Sequence, residues 1–282
     1  MKILRILILI LFLVTAGFFG VSEIRYFSDQ DDEPPVIYTD KDEIRLSVEA
    51  EDADYLRGMS ASDERDGDVT DSLVVAGRSN FIEEGVIRVD YAAFDSHNNV
   101  ATHSRTVRYT DYTSPKFIAT EPFMFKKSTS YSFDFIRAAD VLDGDVTSKV
   151  KVMYSSLYSA TTESPITLEV TNSLGDIEKL ELNVRILTTQ EYNDYRPALW
   201  QYIVYTKVGE EIEPWNYVGG VWRSGQYYTF EETEFDYADV TFNPDTVDYS
   251  EPGVYELVFR FASAPAWTGT GSSIMYVIVR DE

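Results

Sequence analysis

The string Asp66-Gly67-Asp68-Val69-Thr70 returns as Asp143-Gly144-Asp145-Val146-Thr147, 77 residues further along the chain. Self-similarity at such a spacing sets the size of the folding unit before any element is assigned. The same offset lays Asp95-Ser96-His97-Asn98-Asn99-Val100 over Asn172-Ser173-Leu174-Gly175-Asp176-Ile177, and Val89 over Ile166, without a gap. One module is therefore used twice. Around the repeats run short stretches such as 43–50, 71–77, 85–95 and 100–110, separated by Gly, Asn, Asp or Pro. In 85–95, Ile87, Val89, Tyr91 and Ala93 share one face, opposite Val86, Arg88, Asp90 and Ala92. Strands of this length with turn residues at intervals near ten mark an antiparallel sandwich. Twenty Tyr and sixteen Phe agree with that, since aromatics suit the half-buried face of a sheet. No long amphipathic helix is expected after residue 26.

The modules span 36–111 and 112–188, with the boundary near Pro115. Residues 189–282 lack the acidic string, but Glu251-Pro252-Gly253-Val254-Tyr255 follows Glu83-Glu84-Gly85-Val86-Ile87 by 168 residues. Each opens an alternating strand, and the shared glycine is expected to take a backbone angle that other residues resist. The fold class expected is all-β: three tandem immunoglobulin-like β-sandwich domains after an N-terminal hydrophobic helix, the third divergent. At roughly 80 to 90 residues each, the modules approach the size of an immunoglobulin-type sandwich.

Residues 1–26 begin with Lys2 and Arg5 and run apolar from Ile6 to Val21. That is the pattern of a targeting or anchoring segment, with its positive end inside and the chain from about Glu23 onward outside. Val14-Thr15-Ala16 offers a cleavage point, whereas the run with Ile3 and Leu4 approaches the roughly 20 residues of a membrane helix. An uncleaved anchor is the expectation, followed by an acidic, proline-terminated linker over 27–35.

The chain carries 48 acidic and 24 basic residues, a net charge of −24. A surface this negative repels nucleic acid and anionic headgroups. Absence of cysteine removes disulfides, zinc–thiolate sites and cysteine nucleophiles together. Two histidines, His97 and His103, are too few for a histidine-rich metal centre. The sequence holds no glycine-rich phosphate loop, Gly-x-Ser-x-Gly elbow or His-Glu-x-x-His pair, so no enzymatic activity is expected.

The first module resembles the bacterial surface protein Ig-like domain. Asp63, Asp66, Gly67, Asp68, Thr70, Gly85, Tyr91, Asp95 and Asn99 match its pattern, with Asn98 in place of the usual glycine. Asparagine is the best substitute for glycine in a left-handed turn. In the second module Asp140, Asp143, Gly144, Asp145, Thr147 and Gly175 match, while Asn172, Asp176 and Leu168 replace the turn Asp, the Asn and the Tyr. The resemblance covers 36–110 best, 115–187 in part and fades beyond 190. It implies an immunoglobulin-like sandwich serving as a spacer or adhesive unit on bacterial surfaces, in a family with no common enzymatic activity.

Two chemistries fit the acidic string. As a turn, Asp63 or Asp66 accepts hydrogen bonds from nearby backbone N–H groups, Gly67 takes the left-handed position, and Val69 restarts a strand with its side chain inward. As a cation site, its carboxylates would hold structural calcium at a domain junction. The turn is the reading preferred and no cofactor is expected. Paired-carboxylate hydrolysis needs two carboxyls facing across a cleft, which adjacent positions on one turn do not supply.

All four tryptophans, Trp200, Trp215, Trp222 and Trp267, fall after residue 190. A sandwich commonly buries one against its opposite sheet. Trp215, Tyr217, Trp222, Tyr227, Tyr228 and Trp267, however, sit among Gly and polar residues, where rigid aromatics serve as contact surface. They are the candidate ligand-binding residues. The function expected is that of a cell-surface protein, held to the membrane by its N-terminal helix, whose third module binds a surface protein or glycan. The alternative is a structural spacer or a self-assembling subunit of a surface fibre or secretion complex. Nucleic acid is not an expected partner.

Overall fold

The computed structural model describes residues 2–29, 32–127, 130–154, 157, 162–263 and 269–281. The chain divides into two compact units, Met1–Ile82 with Val86–Tyr109, and Glu83–Gly85 with Thr110–Glu282.

The first unit opens with α1 (Lys2–Asp29), which runs three residues past the expected end at 26. Its described side chains span 7–23, and the large apolar ones, from Leu7 through Val14 and at Phe18, Phe19 and Val21, are exposed. Among the described residues no helix is long and apolar enough to cross a membrane. Then follow β1 (Val36–Thr39), β2 (Glu43–Leu46), α2 (Asp52–Tyr55), β3 (Met59–Asp63), β4 (Gly67–Asp68), β5 (Val74–Arg78), β6 (Val86–Phe94) and β7 (Val100–Tyr109). They form a three-stranded sheet, β1-β3-β4, and a four-stranded one, β2-β7-β6-β5. All pairs are antiparallel except β2 with β7. Ile87, Val89, Tyr91 and Ala93 are all buried, as the alternation requires. Arg105 is buried among them and donates to the carbonyls of Tyr55 and Arg57, with its guanidinium 5.4 Å from the Tyr91 ring centroid.

The second unit contains two further sandwiches. Its first is built from β8 (Lys116–Ala119), β9 (Met124–Lys126), β10 (Ile136–Asp140), β11 (Gly144–Asp145), β12 (Lys151–Met153), β13 (Glu163–Thr171) and β14 (Ile177–Leu187). After α3 (Thr189–Tyr192) come β15 (Arg196–Leu199), β16 (Ile203–Lys207), β17 (Val218–Arg223), β18 (Gln226–Tyr228), β19 (Val240–Thr241), β20 (Gly253–Phe261) and β21 (Ser272–Arg280). The strand orders β8-β10-β11 with β9-β14-β13-β12, and β15-β17-β18 with β16-β21-β20-β19, repeat the first unit strand for strand. The parallel pair recurs as well, as β9 with β14 and β16 with β21. The fold is all-β beyond α1, apart from single turns of helix. An offset of 77 carries the bounds of β3, β4 and β6 onto β10, β11 and β13, so the repeat read in the sequence is a repeat of strands.

The two sandwiches of the second unit share one hydrophobic core, which includes Phe123, Leu182 and Val184 with Tyr202, Leu257 and Tyr276. The Phe123 and Tyr276 rings meet edge to face at 5.6 Å. Polar groups lock the same seam. The Tyr276 hydroxyl donates to the Asn183 carbonyl and accepts from the Asn183 N–H at 3.1 Å. The Tyr202 N–H donates to Ala119 at 2.8 Å, and the Tyr205 hydroxyl accepts the Phe117 N–H at 2.9 Å.

Two local expectations are corrected. Val69 does not restart a strand: it precedes a single 3-10 turn, Thr70–Ser72, as Val146 precedes Thr147–Lys149. The threonine causes this, because its hydroxyl ties back to the backbone of Ala61 or Ala138 instead of leaving the chain extended. Gly85 takes a left-handed angle, φ +68°, whereas Gly253 does not. What limits Gly253 is the Tyr255 ring, 3.1 Å from where a Cβ would stand.

Candidate binding face

The acidic strings fold as turns. Asp63 accepts the N–H groups of Arg65 and Asp66 at 2.8 and 2.9 Å, and Asp140 accepts those of Leu142 and Asp143 at 2.9 Å. Gly67 and Gly144 take φ of +75° and +69°, and Asn98 takes +66° where the glycine is replaced. The second acid of each turn clasps the loop between the last two strands. Asp66 accepts the Ser96 N–H and hydroxyl at 2.7 and 2.9 Å, and Asp143 accepts the same groups of Ser173 at 2.7 and 2.6 Å. Hydrogen bonds from Thr70 and Thr147 hold Asp68 and Asp145 below the usual carboxylate range. Among the described residues no group of three or more His, Asp or Glu side chains is arranged to hold a metal ion. In the third sandwich the acidic string gives way to Ser224-Gly225, both left-handed, a two-residue hairpin joining Arg223 to Gln226.

The aromatic candidates separate. Val221 pairs with Tyr228 across the β17–β18 ladder, and Trp222 with Tyr227. Directly opposed residues share a face, so one pair points at the core and the other away from it. Val221 is fully buried and Tyr228 packs half-buried against the same core. Trp215 is half-buried, its ring 5.2 Å from Tyr237 and 4.9 Å from Phe242. Tyr217 lines a cavity of about 430 Å³ with Phe117, Ile203 and Tyr205, and burial raises its pKa. Trp267 lies outside the described residues.

On the outward face, Tyr227 is 41% exposed, and its neighbour is Trp200, 56% exposed, with ring centroids 5.8 Å apart. The two rings lie over glycine. A Cβ on Gly219 would come within 2.8 Å of the Trp200 ring, and one on Gly220 within 3.0 Å of the Tyr227 ring. The Tyr227 hydroxyl donates to the Gly219 carbonyl at 2.7 Å, which fixes the platform. Trp222, on the same face, enters a groove of about 390 Å³ that it lines with Tyr192, Phe125, Tyr131 and Phe135. Both sandwiches of the second unit therefore contribute to it. The structure brings Trp222 and Tyr227 together and adds Trp200 and Tyr192. The signal for Trp200 was its place beside a Gly-Gly pair across the sheet, which cannot be read without the strand register.

Arranged this way, the face offers flat, desolvatable rings beside a groove carrying Glu121 and Asp134 as hydrogen-bond acceptors.

No family model matches the chain. It is 26% identical over 209 residues to the pesticidal crystal protein Cry22Aa of Bacillus thuringiensis, a stretch covering 72% of this chain and 27% of that protein. The chain thus spans about a quarter of the length of the curated relative that it matches. Among solved structures it is similar to CBM51-2 with INT domains of Clostridium perfringens ZmpB in complex with GlcNAc, at 17% identity, 57% and 31% coverage and a TM-score of 0.23. It is also similar to mouse cadherin-23 EC22-24, at 13% identity, 88% and 99% coverage and a TM-score of 0.21. Likeness at these scores assigns neither ligand nor partner.

Proposed function

We propose that the chain is an extracytoplasmic binding protein of the bacterial envelope, in which Ig-like sandwiches present an aromatic face to a glycan. The observation that carries this reading is the Trp200–Tyr227 pair, exposed on the β15-β17-β18 sheet with two glycines beneath it and the Trp222 groove alongside. Rings held this rigidly lose little entropy on binding, and their faces match the C–H faces of sugar rings. The apolar N-terminal segment behind Lys2 and Arg5 supports export and membrane attachment. The repeated acidic turns support membership of the surface Ig-like family. Binding is the proposed chemistry, not catalysis.

A glycan microarray probed with the full chain tests the reading. Retained glycans are expected to be lost, with affinity falling roughly tenfold or more, on Trp200→Ala or Tyr227→Ala, both exposed positions whose substitution spares the core. Equal retention of these variants and the parent chain would refute it.

A further inference from the structure

A second cavity in the same unit has a different chemistry. Arg185 on β14, Arg196 on β15 and Arg260 on β20 line a space of about 330 Å³ with Asp194, Thr270 and Ser272. Three arginines thus line one cavity in a chain whose net charge is −24. Arg196 is only 3% exposed. Its terminal nitrogens donate to the Glu191 carbonyl and, at 3.0 Å, to the Met124 sulfur. Its Nε–H has no acceptor and the side chain makes no ion pair among the described residues. Burial pulls its pKa down, against the attraction of Asp194 and Glu191 and with the repulsion of Arg185. An unpaired buried cation with an unused donor is costly unless a ligand completes it.

Gly271 has no Cβ, and one there would stand 2.7 Å from the Arg196 terminal nitrogen. Arg260 is exposed and has no described side-chain partner. Arg185 donates to the Ser272 hydroxyl at 2.8 Å and lies 3.6 Å from Glu163. Glu191 also lines the cavity, with its Oε2 accepting the Thr188 N–H and hydroxyl, both at 2.8 Å. Asp194 lies against Gly269, with a carboxylate that no described group satisfies.

We infer that this cavity takes a carboxylated monosaccharide, the acidic unit of a glycan. The exposed Arg260 guanidinium receives the carboxylate as a planar fork, with the buried charge of Arg196 behind it. Asp194 accepts a ring hydroxyl and Ser272 completes the polar wall. A bare phosphate is a poorer match, because its larger negative charge is repelled more strongly by Asp194 and it has no ring to fill the cavity. The volume lies near the roughly 300 Å³ lower bound of small-molecule sites, which suits one sugar ring. None of this depends on the aromatic face.

Calorimetric titration of the full chain in detergent micelles at about 0.15 M salt tests it, with glucuronate, glucose and inorganic phosphate as probes. Saturable binding of glucuronate is expected, none of glucose, and only weaker binding of phosphate. Arg260→Glu, at an exposed position, should leave the melting temperature unchanged and weaken glucuronate roughly tenfold or more. Trp200→Ala should leave it unchanged, so loss here and loss at the aromatic face are separately visible. Absence of glucuronate binding, an Arg260→Glu variant that binds as the parent does, or phosphate binding as tightly as glucuronate would overturn the assignment.

Discussion

Asp143 shows how one side chain can explain why a string of acids is repeated. It sits beside the Gly144 turn, yet its carboxylate reaches across to Ser173 in the loop before β14 and to Lys149 Nζ at 2.7 Å. Burial alone would raise its pKa, but the hydrogen bonds from Lys149 and Ser173 outweigh that and hold it below the ordinary carboxylate value. A depressed carboxylate contributes stability above its unfolded pKa, near 3.9, and loses it as pH falls through the folded value. Asp143→Ala should therefore destabilise the second unit by about 1–2 kcal/mol at pH 7. In thermal melts the difference from the parent should shrink as pH drops below about 4. A gap of constant size down to pH 2 would mean that the charged form is not what clasps the loop. The turn role was legible in the sequence, since Asp-x-x-Asp-Gly supplies acceptor, reach and left-handed residue in order. Its clasp on Ser173, 30 residues away, was not, because local spacing says nothing about which loop lies opposite.

At the scale of elements, alternation predicts one buried face of β6, Ile87, Val89, Tyr91 and Ala93, while Val86 and Ala92 on the opposite face are buried as well. Shorter elements conceal more. The strands β15 to β19 are two to six residues long, too short for a period to declare itself, yet they take the same strand order as their counterparts. The outward face of β15-β17-β18 depends on two adjacent glycines with different jobs. A Cβ at Gly220 would stand 2.4 Å from the Tyr228 carbonyl oxygen, which is backbone and cannot swing away. Gly220→Ala should thus force the ladder apart and cost about 1–3 kcal/mol in denaturant unfolding. At Gly219 the obstacle is the Trp200 side chain, which can move. Gly219→Ala should keep its stability and lose glycan retention with the displaced ring. Identical melting and identical binding for both variants would show that neither glycine supports the platform.

For the molecule as a whole, the sequence reads as modules 36–111, 112–188 and a divergent 189–282, and what it does not show is that the last two sandwiches share a core within one compact unit. The reason lies in tyrosines that look unremarkable in their own strands. Tyr202, Tyr205 and Tyr276 belong to the third sandwich, but their rings, hydroxyls or backbone N–H groups engage Ala119, Phe117, Phe123 and Asn183 of the second. Burial pushes the pKa of each of these hydroxyls upward. Nothing in an alternating strand tells a tyrosine facing water from one facing another domain. This seam bears on the proposed glycan binding because the Trp222 groove is lined from both sandwiches, which fixes its shape in advance.

The shared core is therefore the claim to test, and the tryptophans provide the probe, since all four lie beyond residue 190 in the sequence and Trp200, Trp215 and Trp222 belong to the third sandwich. Phe123→Ala removes a buried ring from the second sandwich, a loss of about 3–5 kcal/mol in a packed core. If the two sandwiches are one body, the melting temperature followed by tryptophan fluorescence should fall by roughly 10 °C. A tryptophan transition that stays where it is in the parent chain, while the second sandwich melts early, would contradict the account.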